Sequence, residues 1–376
     1  MRLTSLKIGA LALLCALPAM AAPSARPNAR AALGREALAL LVQAGRNSNP
    51  EVRAAAATAW GKIGNPAVLP VLKKMAKDRE ESVRLAAAES LYSLGDKAAF
   101  PIILDIAKAQ PQEPADPTPI DELKLMVKER LRIDAIDELR SIGKADPKLG
   151  EKAVKAFETT LDDPYGPVRD ATAIALAAMG LDEFTPRFLN AAQSQDAGVR
   201  VTAIRALGQI GTPAAVEAVS TATADSSADV RSEAMSAAAR FAAADAVPLL
   251  EKGLKDSDPG VRAQALQALA GFDDERSSAA VRQAFDNAPD LSTEMVAMAG
   301  LLRRGQKVDL SAALPALKNS DEDIRRLGID VLALYPGGES LALLQTEIEK
   351  DSSTLLKVAA AQAALVRLES KRGKRR

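Results

Sequence analysis

The sequence predicts an all-α chain of about ten antiparallel helix pairs, and three observations predict it. A Val-Arg dipeptide recurs at Val52-Arg53, Val83-Arg84, Val199-Arg200, Val230-Arg231 and Val261-Arg262, with spacings of 31 or its multiples apart from one break. Val168-Arg169 and Ile324-Arg325 join the series. Small or apolar residues then follow each Arg at +3, +6, +7 and +10, often with glycine at +11, which is helical periodicity closed by a C-terminal glycine. Finally, the apolar share of 48% is mostly alanine, leucine and valine, with 3% aromatics, a mixture that suits close-packed helices better than strands.

Taken in order, residues 1–21 read as a secretory signal peptide. Arg2 and Lys7 form its positive start, Ile8 to Leu17 its short apolar core, and Ala19-Met20-Ala21 its small-residue cleavage box. Cleavage is expected after Ala21, because a cut one residue later would place Pro23 next to the scissile bond. Leu14 makes the residues before Cys15 a poor lipidation box. A linker over 22–32 leads to the repeats over 33–368, and no later apolar stretch approaches the ~20 residues of a membrane span.

Within the repeats, Arg200 is followed by Ala203, Ala206, Leu207, Ile210 and Gly211, and Arg132 by Ala135, Glu138, Leu139, Ile142 and Gly143. Weaker copies begin near Glu294 and Lys357. A second helix precedes each copy, with proline 17 residues after the Arg at Pro70, Pro101, Pro186 and Pro248, close to a helix start where its missing N–H costs little. Between the second and third copies, Arg84 and Arg132 lie 48 residues apart, and four prolines in residues 109–119 forbid helix there.

Asn65-Pro66-Ala67-Val68-Leu69-Pro70 leading to Glu81-Ser82-Val83-Arg84, and Ala246-Val247-Pro248 leading to Asp258-Pro259-Gly260-Val261-Arg262, resemble HEAT repeats. They are most similar to the short HEAT-like subtype named after phycobiliprotein lyases. The resemblance implies a right-handed α-solenoid, an armadillo-type superhelix whose second helices line a concave face. Stacked at ~8–10 Å, ten pairs would make an arc on the order of 90 Å. In that family the repeat Arg is structural. Arg53, Arg84, Arg132, Arg169, Arg200, Arg231, Arg262 and Arg325 are therefore expected to pair with turn carboxylates such as Asp163, Asp196, Asp258 and Asp321. The rival reading, an anion-binding ladder, is the lesser one.

The column at +5 samples the face that meets a partner. It reads Thr58, Glu89, Asp137, Ile174, Arg205, Ser236, Gln267, Ala299 and Asp330, with Thr58, Glu89, Asp137, Arg205, Gln267 and Asp330 the candidate contacts. One basic residue in nine argues against a nucleic-acid groove, which needs a stripe of Lys and Arg. Without Arg2 and Lys7 the chain holds 47 basic and 49 acidic residues, and the tail cations Lys371, Arg372, Lys374, Arg375 and Arg376 leave the remainder near −7. That tail, residues 369–376, is a candidate contact for an anionic surface. Trp60 occupies a +7 position that leucine fills elsewhere, and is expected in the core.

With no histidine and one cysteine, most enzyme designs lose their base, nucleophile or metal ligand. Some HEAT-like proteins are hydroxylases with iron held by His-Glu motifs, which this chain cannot supply. Others are bilin lyases, yet the mature chain would lack a cysteine for attachment. The expectation is an exported, periplasmic, monomeric and non-catalytic scaffold without cofactor. It would bind a protein through its concave face or the Pro-rich insert. The alternatives are an adaptor docked on an anionic envelope surface by its tail, and a ligand-binding lyase-like enzyme.

Overall fold

The computed structural model describes residues 27–111 and 118–373. The expected signal segment, the start of the linker, residues 112–117 of the insert and the last three tail residues lie outside them. Among the described residues twenty α-helices follow in ten pairs. The first five pairs are α1 (Pro27–Ala44) with α2 (Pro50–Ile63), α3 (Leu69–Met75) with α4 (Glu81–Ser93), α5 (Phe100–Lys108) with α6 (Pro119–Ala145), α7 (Pro147–Phe157) with α8 (Gly166–Ala178), and α9 (Thr185–Ala191) with α10 (Ala197–Ile210). The second five are α11 (Pro213–Ala222) with α12 (Ala228–Ala238), α13 (Ala243–Gly253) with α14 (Pro259–Leu269), α15 (Glu275–Asp286) with α16 (Leu291–Arg303), α17 (Leu314–Leu317) with α18 (Glu322–Leu334), and α19 (Glu339–Lys350) with α20 (Thr354–Gly373).

The even-numbered helices, all but α16 and α20 carrying the repeat Arg, pack side by side as an inner layer, backed by the odd-numbered helices. Repeat chemistry sets their ends. Asn49, Asp196, Asp258 and Asp321 cap α2, α10, α14 and α18 by accepting backbone N–H groups of the first turn. At the other end Gly211 stands at φ 70°, a left-handed conformation that glycine adopts without cost. Pro70, Pro101 and Pro186 fall in the first turn of α3, α5 and α9, whereas Pro248 lies inside α13. Gly143 departs from the rule, because α6 runs through it to Ala145. A Cβ there would sit 2.6 Å from Cε of Met179 and 3.0 Å from Cα of Gly150, so this glycine serves close approach.

The arc of helix pairs closes on itself. Inner helix α20 packs against α2, and outer helix α1 packs against α20 as most outer helices do against the preceding inner one. Leu33, Ala37 and Leu41 of α1 share one buried cluster with Ala360, Ala361 and Ala364 of α20, and Asn65 Nδ2 donates to Glu369 Oε1 at 3.3 Å across the seam. Ten pairs thus close a ring, which needs about 36° of rotation per pair. The curvature has a cause in the inner layer, whose contacts are made by the smallest side chains. A Cβ on Gly61 would lie 2.4 Å from Ser90 Oγ, and one on Gly208 2.5 Å from Cβ of Ala237. Inner helices therefore approach more closely than outer ones, and the stack bends toward them. Helix α1 begins at Pro27, inside the segment read as linker, and α20 continues to Gly373, into the segment read as tail.

Candidate interaction surface

On each inner helix the positions +3, +6, +7 and +10 are mostly buried, as in Ala203, Ala206, Leu207 and Ile210, and +5 lies opposite them, toward the ring interior. Thr58, Arg205, Gln267 and Asp330 are exposed there, Glu89, Asp137, Ile174 and Ser236 are half-buried, and Ala299 is buried. The column is spread around the ring and not gathered into one patch. Arg205 makes two hydrogen bonds to Glu233 of the next pair, at 3.2 and 2.7 Å. Asp137 accepts from Arg140 at 3.4 Å, and Asp330 from Arg326 at 3.3 Å. Ser236 and Gln267 border a shallow cavity of about 260 Å³. With inner axes ~8–10 Å apart, ten helices enclose a lumen roughly 15–20 Å wide, enough for one helix or extended segment but not for a folded domain.

Acidic side chains gather where α4 meets α6. Burial, together with repulsion from Glu138 and Asp134, pushes Glu89 up to about 7. Burial raises Glu138 and Asp134 as well. Among the described residues no group of three or more Cys, Asp or Glu side chains is placed to hold a metal ion.

The repeat Arg side chains face neither lumen nor solvent ligand. Arg231 Nε and Nη2 each bond Asp256 of the next pair at 2.8 Å, while Nη1 donates to the carbonyls of Asp225 and Ser226 in its own loop. The Arg231 guanidinium holds the Asp256 carboxyl down at about 2. Arg53 with Asp78, Arg200 with Asp225 and Arg325 with Asp351 repeat this clamp, and Arg132 grips Asp163 in full burial. Of the expected partners only Asp163 pairs. Asp196, Asp258 and Asp321 are two residues too late in the turn, and their carboxylates are taken by the helix N-termini. Arg84, Arg169 and Arg262 keep the loop-carbonyl bonds, and Arg84 adds Glu81 at 3.2 Å, within its own helix.

A second kind of clamp escaped the pattern. Pairs eight and ten have Glu294 and Lys357 where the Arg should be. There Arg304 reaches back to the Leu269 and Phe272 carbonyls and Ser277 Oγ, and Arg367 to the Leu332 and Gly337 carbonyls and Ser340 Oγ. The signal was present, since Arg304 and Arg367 share the spacing of Ser277 and Ser340, but it occupies a +10 position that reads as apolar core.

The most exposed apolar surface lies on α6. This helix starts 13 residues before Arg132, about 15 Å further out than its neighbours begin. Thr118 and Asp121 close a capping box around its first turn. Ile120, Leu123, Met126 and Val127 on this arm are 53–65% exposed.

A family model described as HEAT repeats matches residues 10–91, 37–115, 151–237 and 218–301, more than half of the chain. The chain belongs to the HEAT-repeat family. No curated protein matches it. Among solved structures, this HEAT-repeat chain is similar to human deoxyhypusine hydroxylase in complex with glycerol, at 19% identity over 74% of this chain and 99% of that one, with a TM-score of 0.31. It is also similar to YibA of Escherichia coli, at 22% over 70% and 96% with a TM-score of 0.37. The complex of CpcE and CpcF of phycocyanin lyase from Nostoc sp. shares 19% over 68% and 99%, with a TM-score of 0.32. At these identities and scores the likenesses carry no argument about activity or binding.

Proposed function

We propose that this HEAT-repeat ring is a non-catalytic, exported scaffold for another protein, and that the partner docks on the arm of α6 to which the Pro-rich insert leads. The observation that carries this reading is the arm itself. Of the eight large apolar side chains exposed among the described residues, four fall between Ile120 and Val127 on one projecting helix. Exposed apolar side chains gathered in one patch mark interaction sites, and i, i+3, i+7 spacing suits a helix or groove of a partner. The lumen column can add a single segment of that partner. Export rests on the reading of residues 1–21. The test is in-cell crosslinking with mass spectrometry of the captured material, comparing the intact chain with Leu123→Glu/Val127→Glu and with a chain lacking residues 371–376. One dominant protein, retained without the tail and lost with the arm variant, supports the scaffold. Capture of envelope material alone, lost with the tail and with rising salt, supports the anionic-surface adaptor instead. The same samples give the mature N-terminus, expected at Ala22 in the periplasmic fraction.

A further inference from the structure

The inner helices meet in one register. Counted from the repeat Arg or its substitute, position +8 of each helix faces +6 of the next, and the two residues are usually small. A Cβ on Gly61 would strike Ser90, one on Gly208 would strike Ala237, and one on Gly300 would stand 2.9 Å from Cβ of Ala270. In the same register α4 offers Tyr92 and α6 offers Glu138. Among the described residues this is the one inner contact with large polar side chains at both positions. Elsewhere one of the two is small, or both are apolar.

Carboxylates surround this mismatch. Glu89 of α4 faces Asp134 and Glu138 of α6, and all three are half-buried. Arg130, itself 74% exposed, answers Asp134 at 3.1 Å, and Arg140 bonds Asp137 at 3.4 Å. Neither relieves Glu89. On the other helices packed against α4, Arg53 of α2 is held by Asp78 and Lys73 of α3 by Asp96, while Lys97 before α5 is held by Asp146. No charge from α2, α3 or α5 acts on Glu89.

Ionised carboxylates cannot share a half-buried contact without cost. Protonating Glu89 removes the repulsion, and separating the helices does the same by admitting water. The closed contact therefore binds the proton more tightly than the spread one, and rising pH favours spreading. Because burial and repulsion push Glu89 up to about 7, the change falls in the neutral range. Outer helix α5 packs against both α4 and α6, so the ring stays whole while its inner contact opens.

We infer that the α4–α6 contact is a pH-governed joint of the ring, closed while Glu89 carries a proton and spread when Glu89, Asp134 and Glu138 are all ionised. Spreading widens the lumen at this point and moves the arm, which belongs to the same helix. The joint does not rest on partner docking at the arm.

Nitroxide labels at Ser93→Cys and Ser141→Cys, on the chain carrying Cys15→Ser, report the joint. Both serines are exposed and stand at +9 of α4 and α6. Lys62→Cys with Ser93→Cys, again at +9 and exposed, reports the small-residue contact of α2 with α4 as a control. Dipolar spectroscopy should show the 93–141 separation lengthening by about 3 Å, one layer of water, between pH 5 and pH 9. The change should be half complete near 7, with 62–93 constant. Glu89→Gln/Glu138→Gln keeps the shapes without the charge and should hold the short distance throughout. A 93–141 distance that ignores pH would overturn the joint, as would a change that survives in the glutamine variant or appears equally at 62–93.

Discussion

Removing Arg132 tests whether the clamps hold the ring or merely decorate it. Arg132 and Asp163 are the most deeply buried ion pair among the described residues, at 3% and 0% side-chain exposure. Among the described residues the Asp163 carboxylate otherwise accepts only from the Tyr165 N–H at 3.0 Å, and the Arg132 guanidinium otherwise reaches only the Ala107 carbonyl at 3.5 Å. Arg132→Met therefore strands a carboxylate in the interior, and Asp163→Ala strands a guanidinium. Each change should cost about 3–5 kcal/mol, most of it the penalty of an uncompensated buried charge. Replacing both by Met and Leu removes the stranded charge, so the double variant should be more stable than either single one. Arg205→Ala is the control, because its pair with Glu233 is more than half exposed on the Arg side and should contribute no more than about 1 kcal/mol. The assay is urea unfolding followed by far-ultraviolet circular dichroism, with coincident probes to establish a single transition. If Arg132→Met lost no more than Arg205→Ala, or if the single losses simply added in the double variant, the clamp argument would be refuted.

Three further outcomes are expected. With Cys15 replaced by serine, cysteines at positions 65 and 369 should be joined by a short bis-maleimide within one chain, since Asn65 and Glu369 touch at 3.3 Å, whereas an open arc would leave them unlinked on a gel. Glu89→Gln should stabilise the ring by about 1–2 kcal/mol at pH 8, after allowance for solvent screening, and leave it unchanged near pH 4. The sign follows from a folded pKa of about 7 against an ordinary 4.5: the native state holds the extra proton, so stability falls as pH rises through that window. Thermal melts at the two pH values decide it, and a benefit at pH 4 would count against the assignment. Gly208→Ala should cost about 1–3 kcal/mol, because the new methyl would stand 2.8 Å from the Cα of Ala237, where backbone has to move.

The helices, their order and their caps were legible because each is written locally, in the Val-Arg step, the acidic or amide cap and the terminal glycine. Ring closure was not, since it is the sum of ten small rotations set by how closely Gly61, Gly208 and their alanine-rich neighbours let inner helices approach. The partner of each repeat Arg was misplaced for a related reason. Two carboxylates stand two residues apart in a turn such as Asp256-Ser257-Asp258, and only geometry tells clamp from cap. The α6 arm was hidden because the repeat pattern starts only at Arg132, although Ile120, Leu123 and Val127 carry helical spacing. Trp60 was expected in the core and lies there, 2% exposed.

An open stack of repeats can be lengthened or shortened one unit at a time and needs a polar cap at each end. A hoop obeys different arithmetic. Because α1 already rests on α20, joining the described ends with a short linker and cutting the chain at residues 112–117 should yield the same molecule with new termini. Deleting one pair would leave nine units bent for ten, so that the loss falls on every interface around the circle and not only on the two that were cut. The number of repeats is therefore a structural parameter of this protein in the way that strand number is for a barrel.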